Sequence, residues 1–175
     1  MTYKKNNSNI NIAYWFYNKE PDYNKKISEQ KIQYLLFLTQ MHYAMKYKSL
    51  LMPSLFVYSK SEIYDPTIKT IMYYGFPLME NPKFDLQTSD FLELIWQKYA
   101  SQTEEQLRDF IHSLKEIKDL HDNDEIIINP LDFTDSFPSS TQKNKTDNKS
   151  KIMISQNGIV KVSAWNPRKL KNNTN

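Results

Sequence analysis

Over the first 138 residues, apolar positions recur with helical spacing and are separated by polar segments carrying start and stop signals. Ile12, Ala13, Trp15 and Phe16 mark a short first helix around 10–17. Ser28 is an N-cap for a longer helix reaching about Lys46, whose apolar residues Ile32, Leu35, Leu36, Leu38, Met41, Ala44 and Met45 cover far more than one stripe. That width predicts the central, most buried helix. The run Leu55–Tyr58 is too short to separate strand from extended loop. Asp65-Pro66 opens a third helix with Ile68, Ile71 and Met72, which Gly75 is expected to end. A fourth begins after Thr88 and sets Phe91, Leu94, Ile95 and Tyr99 on one face, widened by Leu92 and Trp96. Thr103 and Gln106 form a capping box before Leu107, Phe110, Ile111, Leu114 and Ile117, and 130–137 predicts a last short helical turn. Trp15, Leu35, Leu36, Ile95, Trp96 and Tyr99 are assigned to the core.

Beyond residue 138 the pattern changes. The run 139–150 contains no apolar residue and reads as a flexible polar linker. Then 151–156, Asn157-Gly158 and 159–165 read as two strands about a type I′ turn, because Asn-Gly accepts the positive φ angles that turn requires. The chain is therefore expected to be mainly α, with a compact multi-helix domain at 1–138, the linker, and a β-hairpin tail at 151–175. Two strands alone are marginal in water, so the tail is expected to dock on the body, a partner or another copy.

Charge sharpens this division. Residues 1–140 hold 15 basic and 19 acidic residues, a balance of −4, whereas residues 141–175 hold 8 basic and one acidic, a balance of +7. In the tail, Lys151, Lys161, Arg168, Lys169 and Lys171 offer phosphate contacts and Trp165 a stacking ring, so nucleic acid is one candidate partner. A frayed, solubilising terminus is the plainer reading of the same residues.

The chemistry that remains is narrow. With two glycines in 175 residues, Gly75 and Gly158, no glycine-rich phosphate loop or nucleophile elbow is present. Without cysteine there is no thiolate metal site, disulfide or cysteine nucleophile. His42 sits among apolar residues of the second helix and reads as a hydrogen-bonded structural side chain. His121 has Asp119, Asp122, Asp124 and Glu125 around it, but a calcium loop begun at Asp119 fails where glycine and a bidentate glutamate are needed; the segment reads as a solvated acidic turn. Glu104 and Glu105 are accounted for by the helix dipole. We expect no enzyme, cofactor or metal site. No apolar run approaches the roughly 20 residues of a membrane helix, and the first ten residues lack a secretory signal's apolar stretch, so a soluble, cytoplasmic protein without membrane contact is expected.

Four segments, in order, resemble the Panacea domain of SocA-like antitoxins and phage-associated proteins. Ala13-Tyr14-Trp15-Phe16 is similar to that family's first helix. The stretch 27–37 is similar to its serine followed by Lys-Leu-Gln-Lys-Leu-Leu-Tyr. Tyr64-Asp65-Pro66-Thr67 stands where the family has Tyr-Gly-Pro-Val. Ile95-Trp96-Gln97-Lys98-Tyr99, Gln106-Leu107 and His112-Ser113 resemble Val-Trp-x-x-Tyr, a helix and His-Ser. The likeness spans about 9–138, with Asp65 replacing the family's glycine and without the Pro-Trp that commonly follows His-Ser. It implies a domain that neutralises a cognate toxin by direct contact, and in one branch an adaptor that delivers the toxin to a protease. By that likeness Tyr64, Asp65, Pro66, His112 and Ser113 are the candidate partner-binding residues, although His112-Ser113 also reads as a fold-holding pair at a helix end. The competing expectations are a nucleic-acid binder using the tail and a phage or host interaction protein without a toxin.

Overall fold

The computed structural model describes residues 7–19, 27–77, 79–118, 120, 125–135, 151–155 and 158–162. The chain divides into two units, residues 1–138 and 139–175. The first is mainly helical with a small antiparallel sheet; the second contains two paired strands.

Helix α1, Asn9–Tyr17, starts where the Ser8 hydroxyl accepts from the Asn11 N–H. Helix α2, Glu29–Tyr47, starts at Ser28, whose hydroxyl accepts from the Lys31 N–H. Every residue from Ile32 to Met41 is buried, polar Gln33, Thr39 and Gln40 included. This helix packs against α1, against the three later helices α3 (Pro66–Tyr74), α4 (Leu86–Tyr99) and α5 (Glu104–His112), and against a 3-10 helix at Pro130–Asp135. It is the centre that its apolar width predicts. At its middle the Phe37 ring meets Phe56 and Phe133 edge-on, at 5.4 and 5.5 Å between centroids.

The sheet is formed by β1 (Phe56–Ser59), β2 (Glu62–Tyr64) and β3 (Ile126–Ile128), in the order β2-β1-β3. Strand β1 pairs with β2 through Ser59↔Glu62, Tyr58↔Ile63 and Val57↔Tyr64, and with β3 through Tyr58↔Ile126, Val57↔Ile127 and Phe56↔Ile128. Phe56, Tyr58, Ile63 and Ile128 share the core-facing side and are buried. The short apolar run is thus a strand, beginning at Phe56 and leaving Leu55 exposed. Strands β2 and β3 have no counterpart in the sequence expectations. Each has three residues, and the turn joining β1 to β2 is Lys60-Ser61, which takes positive φ angles of 51° and 61° without glycine or asparagine.

Two helix boundaries and three burial assignments differ from expectation. Helix α4 starts after Asp85, not after Thr88, because the Asp85 carboxylate already accepts from the Thr88 N–H at 2.8 Å. Leu94 lies off the buried face of α4 and is 57% exposed. Helix α5 has the expected capping box but stops at His112; Leu114 and Ile117 reach the core from a separate turn, α6 (Lys115–Lys118). Trp15 and Trp96 are half-buried at the margin of the core rather than inside it, whereas Leu35, Leu36, Ile95 and Tyr99 are buried. Gly75 ends α3 with φ 87°, as its position predicts. Among the described residues no helix is long and apolar enough to cross a membrane.

In the second unit, β4 (Lys151–Ser155) pairs antiparallel with β5 (Gly158–Val162). Ser155 pairs with Gly158, so this glycine belongs to the strand and not to the centre of the turn where the Asn-Gly reading sets it. The expected linker 139–150 lies outside the described residues.

Candidate functional site

Asp65 is a buried junction. Its carboxylate caps α3, accepting from the Thr67 and Ile68 N–H groups at 2.9 and 3.3 Å, while its second oxygen accepts from Asn9 Nδ2 on α1 at 2.9 Å. Its main chain is held by Gln33 of α2: the Asp65 N–H donates to Gln33 Oε1 at 2.8 Å, and Gln33 Nε2 donates to the Asp65 carbonyl at 3.3 Å. One residue therefore ties three helices and the end of β2 together. A glycine here would supply neither the cap nor the Asn9 bond. Pro66, at the first turn of α3, needs no N–H partner. Tyr64 ends β2 half-buried, with the Lys69 ammonium 4.3 Å from its ring centre; burial, followed by the carboxylates of Glu125 and Glu62, raises its hydroxyl above the ordinary value.

His112 ends α5 and its Nε2 lies 2.9 Å from the Ser61 carbonyl, an acceptor, so that nitrogen carries the proton. The bond secures the left-handed Lys60-Ser61 turn from outside, and a turn without glycine needs such support. Ser113 is exposed and donates to the Phe110 carbonyl at 2.6 Å within its own helix end. The five candidates do not converge on one pocket. His112 meets the hairpin at the turn, and Asp65 stands at the far end of β2, roughly 10–13 Å further along the strand.

The exposed chemistry lies elsewhere on the same helix. Tyr73 and Tyr74, at the end of α3, are 80% and 81% exposed and their rings meet edge-on with centroids 5.0 Å apart. Gly75 then turns the chain so that Phe76 packs against Tyr14 and Tyr17 of α1, at 5.4 and 5.1 Å. The Tyr14 hydroxyl donates to the Met79 carbonyl and anchors the following segment. Sequence reasoning missed this pair, although two tyrosines directly before a helix-ending glycine were a readable sign of surface aromatics. Nearby in the chain, an open cleft of about 310 Å³ is lined by Trp15, Asn18, Lys19, Asn81 and Pro82. Lys19 lies over the Trp15 ring and pairs with Glu93.

The His42 ring bonds through Nε2 to the Tyr99 hydroxyl at 2.6 Å, with Lys98 Nζ facing the same nitrogen at 3.5 Å. Burial, and then the Lys98 charge, lower its pKa to about 4, so it is neutral at pH 7; burial also pushes the Tyr99 hydroxyl well up. This is the hydrogen-bonded helix histidine its surroundings predict. Among the described residues no three His, Cys, Asp or Glu side chains are gathered to hold a metal. His121 with Asp119, Asp122 and Asp124 lies outside those residues, as do Trp165, Arg168, Lys169 and Lys171 of the tail. Lys151 opens β4 and pairs with Val162; Lys161 lies in β5 and pairs with Ile152. Compared with models of protein families, with curated proteins and with solved structures, the chain matches none.

Proposed function

We propose that the helical unit is a protein-binding domain of the antitoxin kind, which neutralises a cognate toxin by direct contact and not by catalysis. The observation that carries this reading is the Tyr73–Tyr74 pair. Two adjacent rings this exposed add little to the core, and tyrosine is enriched among the anchors of protein interfaces because it offers large contact area at low entropy cost. The Panacea-like segments supply the class of partner, a toxin encoded beside this chain, and delivery of that toxin to a protease belongs to the same proposal.

The test is co-expression with the product of the adjacent reading frame. Wild-type protein relieves growth inhibition; the double change Tyr73→Ala, Tyr74→Ala loses relief while the protein stays folded; Ser113→Ala retains it. If the wild type relieves nothing, the antitoxin reading is gone.

The balance of +7 over residues 141–175 favours a second reading, contact with nucleic acid through the tail. Binding of DNA or RNA by the full chain, steeply weakened by salt and absent from a chain ending at Ser139, is its expected outcome. No binding at low salt removes it.

A further inference from the structure

The two edges of the small sheet are finished differently. In a two-residue hairpin with both central φ angles positive, the flanking residues exchange both main-chain bonds, so Ser59 and Glu62 form such a pair. Alternation then directs the N–H and C=O of Val57 toward β2, and those of Phe56 and Tyr58 toward β3. Ile126 and Ile128 answer Tyr58 and Phe56, which leaves the N–H and C=O of Ile127 directed away from the sheet. Ile63 holds the equivalent place on β2, and its outward carbonyl accepts from Gln30 Nε2 of α2 at 3.4 Å. That bond fixes the phase independently and covers the β2 edge. Among the described residues no strand or side chain covers Ile127 in this way, and its side chain is 68% exposed. An uncovered edge of three isoleucines, without lysine, proline or bulge, invites strand pairing.

We propose that this edge receives the same edge of a second copy of the chain, β3 against β3 antiparallel about a twofold axis at Ile127. The register argues for this occupant. Outward main-chain groups fall on residues 125, 127 and 129. Centring the axis on Glu125 sets two carboxylates face to face. Centring it on Asn129 runs the seam into the 3-10 helix that begins at Pro130, and the Asn129 carbonyl already accepts from the Asp132 N–H. Centring it on Ile127 gives Ile127↔Ile127, Ile126↔Ile128 and Glu125↔Asn129, so every central pair is β-branched and no like charges oppose. The interface is self-complementary, as a twofold dimer requires, and joins two three-stranded sheets into one of six strands. The dimer needs only this chain and stands or falls separately from the antitoxin reading.

A seam this short gives a weak dimer, with a dissociation constant on the order of 100 μM, so sedimentation of the full chain is followed from about 10 μM to about 1 mM. The wild type and Ile127→Val are expected to sediment faster as concentration rises, with exchange of the Ile127 amide slowing in step. Ile127→Lys, at an exposed position, stays monomeric throughout. Ile127→Pro, which removes an N–H that the monomer does not use, does the same. A wild type that stays monomeric to 1 mM overturns the proposal. So does a dimer that Ile127→Lys leaves intact, or an Ile127 amide whose exchange ignores concentration. A monomeric wild type whose toxin relief is lost in Ile127→Lys also overturns it, and assigns the edge to a strand of the toxin instead.

Discussion

The two ends of α3 lie nine residues apart and have opposite surroundings. At the N-terminal end, Asp65 is buried and bonded to α1, α2 and the first turn of its own helix. At the C-terminal end, Tyr73 and Tyr74 stand in solvent. Tyr64, Asp65 and Pro66 stand at the first end, where they hold the frame, and the exposed aromatic surface is at the second. A residue that fixes the start of a helix can set the place of an exposed helix end without belonging to it.

The contrast breaks first at Gln33. Replacing this fully buried side chain with Ala strands the N–H and carbonyl of Asp65 and leaves a cavity, with an expected loss of about 4 kcal/mol in urea unfolding. A loss below about 1 kcal/mol would show that the Asp65 end is not locked as described. Asp65→Ala removes the cap and the Asn9 bond, for about 2–3 kcal/mol, and Asp65→Asn about half of that, since asparagine still caps.

Acid loosens the same frame without mutation. His42 has a folded pKa of about 4 against 6.5 when unfolded, so its contribution is complete above pH 6.5 and is lost as pH falls toward 4. Between pH 7 and 4 the protein should lose on the order of 2 kcal/mol at this residue, allowing for the part of the ring that meets solvent, and His42→Gln should flatten that slope. An unchanged slope in His42→Gln would assign the acid sensitivity to other groups. The smallest stability effect is expected at the other end of α3. Tyr73→Ala and Tyr74→Ala should each stay within about 0.5 kcal/mol of wild type in the same unfolding measurement. A larger loss would make the tyrosines part of the frame and dissolve the contrast.

What could be read in the sequence was what is local. Ser28, Asp65-Pro66, Gly75 and the Thr103–Gln106 box act within four residues of themselves, and each stands where expected. The sheet escaped because β1 finds β3 68 residues further on, through three-residue strands that carry no period of their own, and because Lys60-Ser61 does not look like a hairpin turn. The same holds for the candidate site. Asp65 was visible as a cap, but its bonds to Asn9 and Gln33 cross 56 and 32 residues and depend on how helices meet. Leu94 shows the opposite error, since apolar spacing places a residue on a face but cannot say how wide the buried part of that face is.

The contact of Phe133 with Phe37 has a consequence for how the chain is made. Helix α2 is apolar on nearly every side, yet one of the rings that covers its middle arrives almost a hundred residues later. During synthesis, most of the chain must therefore emerge with its most buried helix incompletely covered, the condition in which nascent proteins aggregate or engage chaperones. A stop before Phe133 would yield a set of well-capped helices around an open core, so the 3-10 turn at Pro130–Asp135 works as the closing piece of the domain and not as its trailing end.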